Sequence, residues 1–220
     1  MKRIVIFGNT EFAEELYQVM TSEGINVVAF TVDRKYIGSK TFCNLPMYPL
    51  ESIEECIDMK DVELALALGY SQMNNVRKQK YVECKQRGYS IATFCSKNAF
   101  IYTESIGEGC IIMPSTYIGP SVEIGLCNVF KVKNSLPHHN KVGNFNWFSG
   151  GCTFGGGAII GNNCFLALST TVRNSICIAD YTFVAANSYL HKNTLEGGAY
   201  MGIPAKMIEG KSSMNIIGNV

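Results

Sequence analysis

The chain has little that would commit it to metal, membrane or nucleic-acid chemistry. Its 220 residues include three histidines, one tryptophan and six prolines. The nine cysteines contain no CxxC pair and no recurring Cys–His spacing, so no zinc module is written in them. They fall at 43, 56, 84, 95, 110, 127, 152, 164 and 177, mostly inside apolar runs, where a thiol serves as a small hydrophobe. An odd count without a secretion signal predicts reduced thiols and a cytoplasmic protein. The opening MKRIVIFGNTEF has a basic tip, but its apolar run is only about five residues long. No stretch approaches the roughly 18 apolar residues of a membrane helix. Charged residues make up 17% and the net charge is +1, which leaves no basic footprint for nucleic acid or for an anionic membrane. What the chain does have is apolar residues, at 47%, enough for a sizeable core.

Residues 1–97 alternate between strand-like and helix-like segments. RIVIFG reads as a buried strand ending in a turn. NTEFAEELYQVMTSEG has Phe12, Leu16, Val19 and Met20 near helical spacing, Asn9 or Thr10 to cap it and Gly24 to end it. INVVAFTVD, VELALALG and SIATFC read as further strands. SQMNNVRKQKYVECKQRG reads as a basic helix with a narrow apolar stripe, and TFCNLPMYPLESIEECI as loop plus a short helix. Strand–helix–strand order with continuous apolar strands predicts a parallel sheet covered by helices.

From residue 100 the period becomes six. Phe100, Ile106, Ile112, Ile118, Ile124, Phe130, Leu136, Val142, Phe148, Phe154, Ile160, Leu166, Val172, Ile178, Val184 and Leu190 are all large and apolar. Four residues after each comes a mostly small or compact side chain, with Ile176 the bulky exception. A strict hexapeptide repeat predicts a parallel β-helix. Three hexapeptides make one triangular coil, so positions one coil apart stack at a rung of about 4.8 Å. Residues 98–196 form this domain, in roughly five coils, and 197–220 follow as a C-terminal tail.

At this point the chain resembles the hexapeptide acyltransferases, whose β-helix winds left-handed. Over its whole length it looks like the bacterial sugar acyltransferases that include sialic-acid O-acetyltransferase and the N-acetyltransferase of bacillosamine synthesis. The resemblance rests on IFGNTEF after the first strand, TVD and LALG at later strand ends, His138 before VGNF, and GIPAK at 202–206. It implies an N-terminal Rossmann-like domain holding a nucleotide-linked amino sugar, and acetyl transfer from acetyl-CoA without a metal. It also implies a homotrimer whose active sites lie between neighbouring β-helices, serving glycan or lipopolysaccharide biosynthesis. In its pattern the catalytic histidine lies five residues before the glycine of a V-G pair, which is His138 here. A neutral imidazole suits a base that takes a proton from an attacking amine or hydroxyl. Acyl-CoA is implied to run past Gly156, Leu168, Ala186 and Lys206. Gly8, Thr10, Asp33 and Gly69 correspond to the nucleotide-sugar side.

The chain departs from that pattern at several positions. An acid commonly follows the catalytic histidine, and here it is His139, a possible orienter without negative charge. A second histidine expected nine residues on is Trp147, which can stack on a sugar or on pantetheine. The loop pattern G-x-S-G-H-G has become GNTEFA, where Glu11 would repel a pyrophosphate and Phe12 can be core. Asp33 is retained.

Coil arithmetic adds an independent point. Gly156 stands one full coil after His138, and a glycine there lets its N–H approach a thioester carbonyl. Gly155–Gly157 read equally as a plain coil corner, His138 and His139 as polar turn residues, and Lys206 as an exposed lysine. Trp147 and Phe165 are likewise one coil apart and predict an outward aromatic ladder, serving as a trimer contact or a ligand wall. As neighbours on a strand, His138 and His139 would point to opposite faces, against a shared metal. An O-acetyltransferase, or a ligand-binding trimer that lost the chemistry, remain the alternatives to an N-acetyltransferase.

Overall fold

The structure, a computed structural model, describes residues 3–217. The chain divides into two compact units, one of residues up to Gly69 with Gln79–Thr93, the other of Tyr70–Lys78 with Phe94 onward.

The first unit contains β1 (Arg3–Phe7), α1 (Glu11–Ser22), β2 (Val27–Val32), β3 (Thr41–Phe42), β4 (Leu45–Pro49) and β5 (Val62–Leu66). After α2 (Asn75–Gln86), within which the unit boundary falls, comes β6 (Ser90–Ile91). The sheet order is β3-β4-β2-β1-β5-β6, parallel throughout except for the β3–β4 pair. Val5, Ile6, Ala29, Phe30, Leu64 and Ala65 are fully buried, as continuous apolar strands covered on both faces must be. α1 buries Ala13, Leu16 and Met20, while Phe12 and Val19 stay half-buried. Thr10 takes the N-cap position, but its side chain makes no capping bond.

Three expectations change here. In the proline-bearing segment 41–57 the expected short helix is present, as 3₁₀, but the part before it is strand and not loop. Leu45–Pro49 runs parallel to β2 with Met47 buried, and Leu50–Glu55 is a 3₁₀ turn. Pro46 and Pro49 stand in β4, whose outer neighbour β3 pairs with only Leu45 and Pro46. SIATFC is two strands: Ser90–Ile91 pairs with β5, and Phe94–Cys95 pairs with Ile111–Ile112. In α2 the residues turned inward at helical spacing are Arg77, Lys80 and Cys84, so charge occupies the stripe expected to be apolar.

In the second unit, two-residue strands from Phe94 to Leu190 stack into three parallel sheets. The register confirms coils of three hexapeptides: Lys141 pairs with Ile159, Trp147 with Phe165, Thr153 with Thr171. Every sixth residue from Ile112 to Leu190 is buried in one continuous core. Phe100 is the exception, at 59% exposed. An unbroken frame would pair it with Ile118, but it pairs with Tyr117. Ile101 therefore stands below Ile118 and packs inward in its place. The first coil is one residue short, which shifts the frame before Ile106.

Corners repeat too. Ser121, Cys127, Lys133, His139 and Phe145 all have φ near +50 to +60°, six residues apart. The small residues one place further on, among them Asn128, Asn134, Asn140 and Asn146, face the interior.

Tyr70–Lys78 covers the sheet that carries Val129, Trp147 and Phe165. Gln72, Met73 and Asn74 form three successive left-handed residues, a costly turn for non-glycine side chains. It is pinned by bonds from Asn74 Nδ2 to the Cys164 carbonyl (3.1 Å) and from Asn163 Nδ2 to the Met73 carbonyl (2.9 Å). Arg77, fully buried, donates through Nε to the Cys127 carbonyl and through its amino nitrogen to the carbonyls of Phe145 and Asn146. Burial pushes its pKa down to about 10, which leaves it charged at neutral pH.

The stack is closed at its C-terminal end. Gly198–Gly202 adds a parallel strand beside Phe183–Val184, and Ala205–Ser212 returns antiparallel to it. On the sheet ending at Cys177–Ile178, the Cys177 N–H donates to Asn193 Oδ1 and the Ala179 N–H to Thr194 Oγ1, both at 2.9 Å.

Candidate active site

His138 and His139 sit on a coil corner between the strands Ser135–Leu136 and Lys141–Val142, not on a strand. Their rings therefore meet instead of pointing to opposite faces. The two Nδ1 atoms are 3.2 Å apart and the rings are inclined by 80°. At that distance one nitrogen carries the hydrogen and the other accepts it. With the hydrogen on His138 Nδ1, its Nε2 keeps a free lone pair and His139 is the neutral acceptor. Both side chains are exposed.

The His138 ring lies directly over Gly156. A Cβ on Gly156 would fall among the imidazole atoms Cε1, Nε2 and Nδ1. One rung of backbone fixes this approach, since the Gly157 N–H donates to the His138 carbonyl (3.0 Å). The Gly156 N–H itself donates to no group among the described residues. A lone pair and an unused N–H donor thus stand side by side on one corner.

Leu168 and Ala186 stack one coil apart on the corner across the neighbouring face from His138 and Gly156, and Leu168 is 59% exposed. Lys206 is exposed on the final hairpin, paired with Met201.

Trp147 does face outward above Phe165, but it is only 5% exposed. The Tyr70 ring packs on both, with centroids 5.2 Å and 4.5 Å away, and the Arg77 guanidinium lies 5.8 Å from the Trp147 ring. The ladder continues to Phe183, stacked on Phe165. The chain's own segment covers this ladder, so Trp147 has no surface left for a sugar or a trimer contact. Its indole N–H donates to Ser149 Oγ.

In the first unit, Gly8, Asp33 and Gly69 follow β1, β2 and β5, three neighbouring parallel strands, so all lie at carboxyl ends where open α/β sheets take ligands. Gly8 has φ +140°, and a Cβ there would meet the Ala67 carbonyl oxygen at 2.7 Å, so only glycine fits. Thr10 and Glu11 are exposed at the start of α1. Asp33 is held at 2.6 Å by Lys80, which also reaches Glu83 at 2.6 Å and lies over the Phe7 ring. Burial opposes the Lys80 charge, but these hydrogen bonds outweigh it and raise its pKa. Glu51 accepts the Arg34 N–H with both oxygens. With Lys35, these residues line a cleft of about 530 Å³. Lys80, Arg34 and Glu51 were not singled out from the sequence. The Lys80–Glu83 spacing was readable as a helical pair, but the Asp33 partner lies 47 residues away.

Among the described residues, no group of three or more His, Cys, Asp or Glu side chains could hold a metal ion, and no helix is long and apolar enough to cross a membrane.

No protein-family model matches the chain. Two curated relatives, the bifunctional protein GlmU of Clostridium botulinum strains ATCC 19397 / Type A and 657 / Type Ba4, are each 27% identical over 124 residues. That covers 46% of this chain and 27% of the relative, so the chain spans about a quarter of their length. Solved structures match nearly end to end. A mutant of perosamine N-acetyltransferase from Caulobacter crescentus, in complex with CoA and GDP-perosamine, superposes with a TM-score of 0.85 at 18% identity, covering 94% of this chain and 97% of that one. The acetyltransferase domain of PglB from Neisseria gonorrhoeae, with acetyl coenzyme A, gives 0.85 at 14% identity, covering 94% and 99%. WeeI from Acinetobacter baumannii gives 0.83 at 18%, covering 94% and 100%. The chain has the fold of the hexapeptide-repeat sugar acetyltransferases.

Proposed function

We propose that this protein is an acetyl-CoA-dependent N-acetyltransferase acting on a nucleotide-linked amino sugar. The observation that carries the reading is the His138 imidazole set over Gly156, whose N–H is unused. Acetyl-CoA would supply the acyl group as a thioester. His138 Nε2 takes the proton from the acceptor amine as nitrogen attacks, and later returns it to the leaving sulfur. Gly156 N–H donates to the oxygen on which negative charge develops. His139 accepts the His138 Nδ1 hydrogen and so holds the base in the useful tautomer, in the place of an acid.

The first unit is taken as a Rossmann-like domain binding the nucleotide through Gly8, Thr10, Asp33 and Gly69, with Lys80 neutralising Asp33. Leu168, Ala186 and Lys206 are assigned to CoA. The separation of Leu168 and Ala186 from Gly156 across one face suits a groove between neighbouring left-handed β-helices of a homotrimer in the cytoplasm. GDP-perosamine, bound by a structural neighbour, makes a first acceptor to try. Calorimetry with acetyl-CoA and a panel of nucleotide-linked amino sugars, followed by turnover, tests the proposal. Replacing His138 by Ala should lower kcat by about 10²–10⁴-fold. Binding without turnover of any acceptor would move the protein to the ligand-binding class.

A further inference from the structure

Asn140 lies two residues after His138 on the same corner and is fully buried. Its Nδ2 donates to the Gly155 carbonyl at 2.8 Å. Gly155 C=O and Gly156 N–H belong to one planar trans peptide, so they point in opposite directions. A carbonyl held inward aims the N–H outward. The structure contains its own controls on a neighbouring corner. There, Asn128 Nδ2 holds the Gly125 and Gly143 carbonyls, and Asn146 Nδ2 holds that of Gly161. The N–H groups of those three peptides, on Leu126, Asn144 and Asn162, each face outward onto an oxygen, at 2.7–2.8 Å from Asn144 Oδ1, Asn162 Oδ1 and Asp180 Oδ1. Gly156 N–H has the same setting with no acceptor in place.

Asn140 carries a cost in its other side-chain atom, shared with Asn134 at the same position of the repeat. Its Oδ1 is buried without a partner, a cost that a hydroxyl would avoid. Thr116, at the same position of the repeat, makes the equivalent bond to the Lys131 carbonyl at 3.0 Å. We propose that Asn140 is a positioning residue that aims the Gly156 N–H at the oxygen of the reacting carbonyl. This deepens the transferase reading and rests on it for its catalytic consequence. One corner then both carries the base and orients the donor: the His138 carbonyl takes the Gly157 N–H, and Asn140 takes the Gly155 carbonyl, bracketing Gly156 from both sides.

The test compares Asn140→Thr, which keeps a donor, with Asn140→Val, which has the same shape and none. Selective labelling of glycine with carbonyl carbon-13 and amide nitrogen-15 reports only the four Gly–Gly peptides, 150–151, 155–156, 156–157 and 197–198. The Gly155 carbonyl signal should move upfield in Asn140→Val and stay near wild type in Asn140→Thr. With acetyl-CoA and GDP-perosamine or another accepted amino sugar, Asn140→Val should lose about 10–100-fold in kcat at unchanged KM for acetyl-CoA, and Asn140→Thr should restore it. An unmoved Gly155 signal, an unchanged kcat, or an equal loss in both variants overturns the proposal. If the wild type turns over no acceptor, the transferase reading fails by that result. The Gly155 signal then decides alone whether Asn140 aims the peptide.

Discussion

The imidazole of His138 fills the space that a Cβ on Gly156 would occupy. Position 156 is not in the left-handed region, so alanine is allowed by the backbone and excluded only by the ring. Gly156→Ala should therefore fold and push His138 aside, and His138, exposed at the corner, can swing away. Misplacing a base by about 1 Å can cost on the order of 10² in rate. The expected result is a kcat loss of that order with melting temperature nearly unchanged. A fully active Gly156→Ala would remove the reason for placing the chemistry here.

His139 offers a second test. It holds φ +55° and accepts or donates one hydrogen bond to His138. Asparagine tolerates that backbone and can present an oxygen to the His138 Nδ1 hydrogen, whereas leucine does neither. His139→Asn should keep most of kcat and His139→Leu should lose about ten-fold or more. Equal kcat in the two variants would show that the ring-to-ring contact does not orient the base.

Arg77 predicts a stability effect. Its guanidinium satisfies the carbonyls of Cys127, Phe145 and Asn146 while Asn74 and Asn163 pin the same segment. Arg77→Met removes these donors from buried carbonyls and should cost about 2–5 kcal/mol in urea unfolding, with freer Trp147 fluorescence as the cover loosens. A variant as stable as wild type would mean that the cover is held by the aromatic ladder instead.

Glu51 sets a pH-dependent term. Burial works to raise its pKa, but the N–H groups of Glu51 and Arg34 and the charges of Arg34 and Lys80 prevail and lower it from the usual 4.5. A carboxylate depressed in the folded state contributes stability that is present above pH 4.5 and lost as pH falls through the lower folded value. Thermal unfolding of wild type and Glu51→Gln should differ at pH 6–8 and converge below pH 4.5. A gap that widens on acidification would contradict the assigned sign.

The six-residue period made the core legible because each coil repeats the same demand, one large inward residue per strand. It misled only at Phe100, where a coil one residue short moves Ile101 inward, and a single skipped residue leaves no mark in composition. The pairing of His138 with Gly156 was readable for the same reason, since a coil of fixed length turns sequence distance into contact. Trp147 was readable as outward but not as covered. The covering segment, Tyr70–Lys78, comes from before the repeats begin. It is held by polar side chains, Asn74 and Arg77, that carry no periodic signal. Lys80 was hidden likewise, as a buried cation reads as a solvated helix face until its carboxylate partners are seen. The meeting of His138 and His139 depended on their lying at a corner, where strand alternation does not apply.

The bonds that end the stack at Asn193 and Thr194 bear on how the molecule behaves in a crowd. A parallel β-helix is a template that could go on adding rungs, and its last strand would otherwise offer a ready row of donors to a strand from another molecule. Here the Cys177 and Ala179 N–H groups are already taken by side chains. The last rung of that sheet is closed by a carboxamide and a hydroxyl, which cannot pass the ladder on. That sheet of the β-helix thereby acquires a definite length, and its end becomes a poor seed for edge-to-edge assembly.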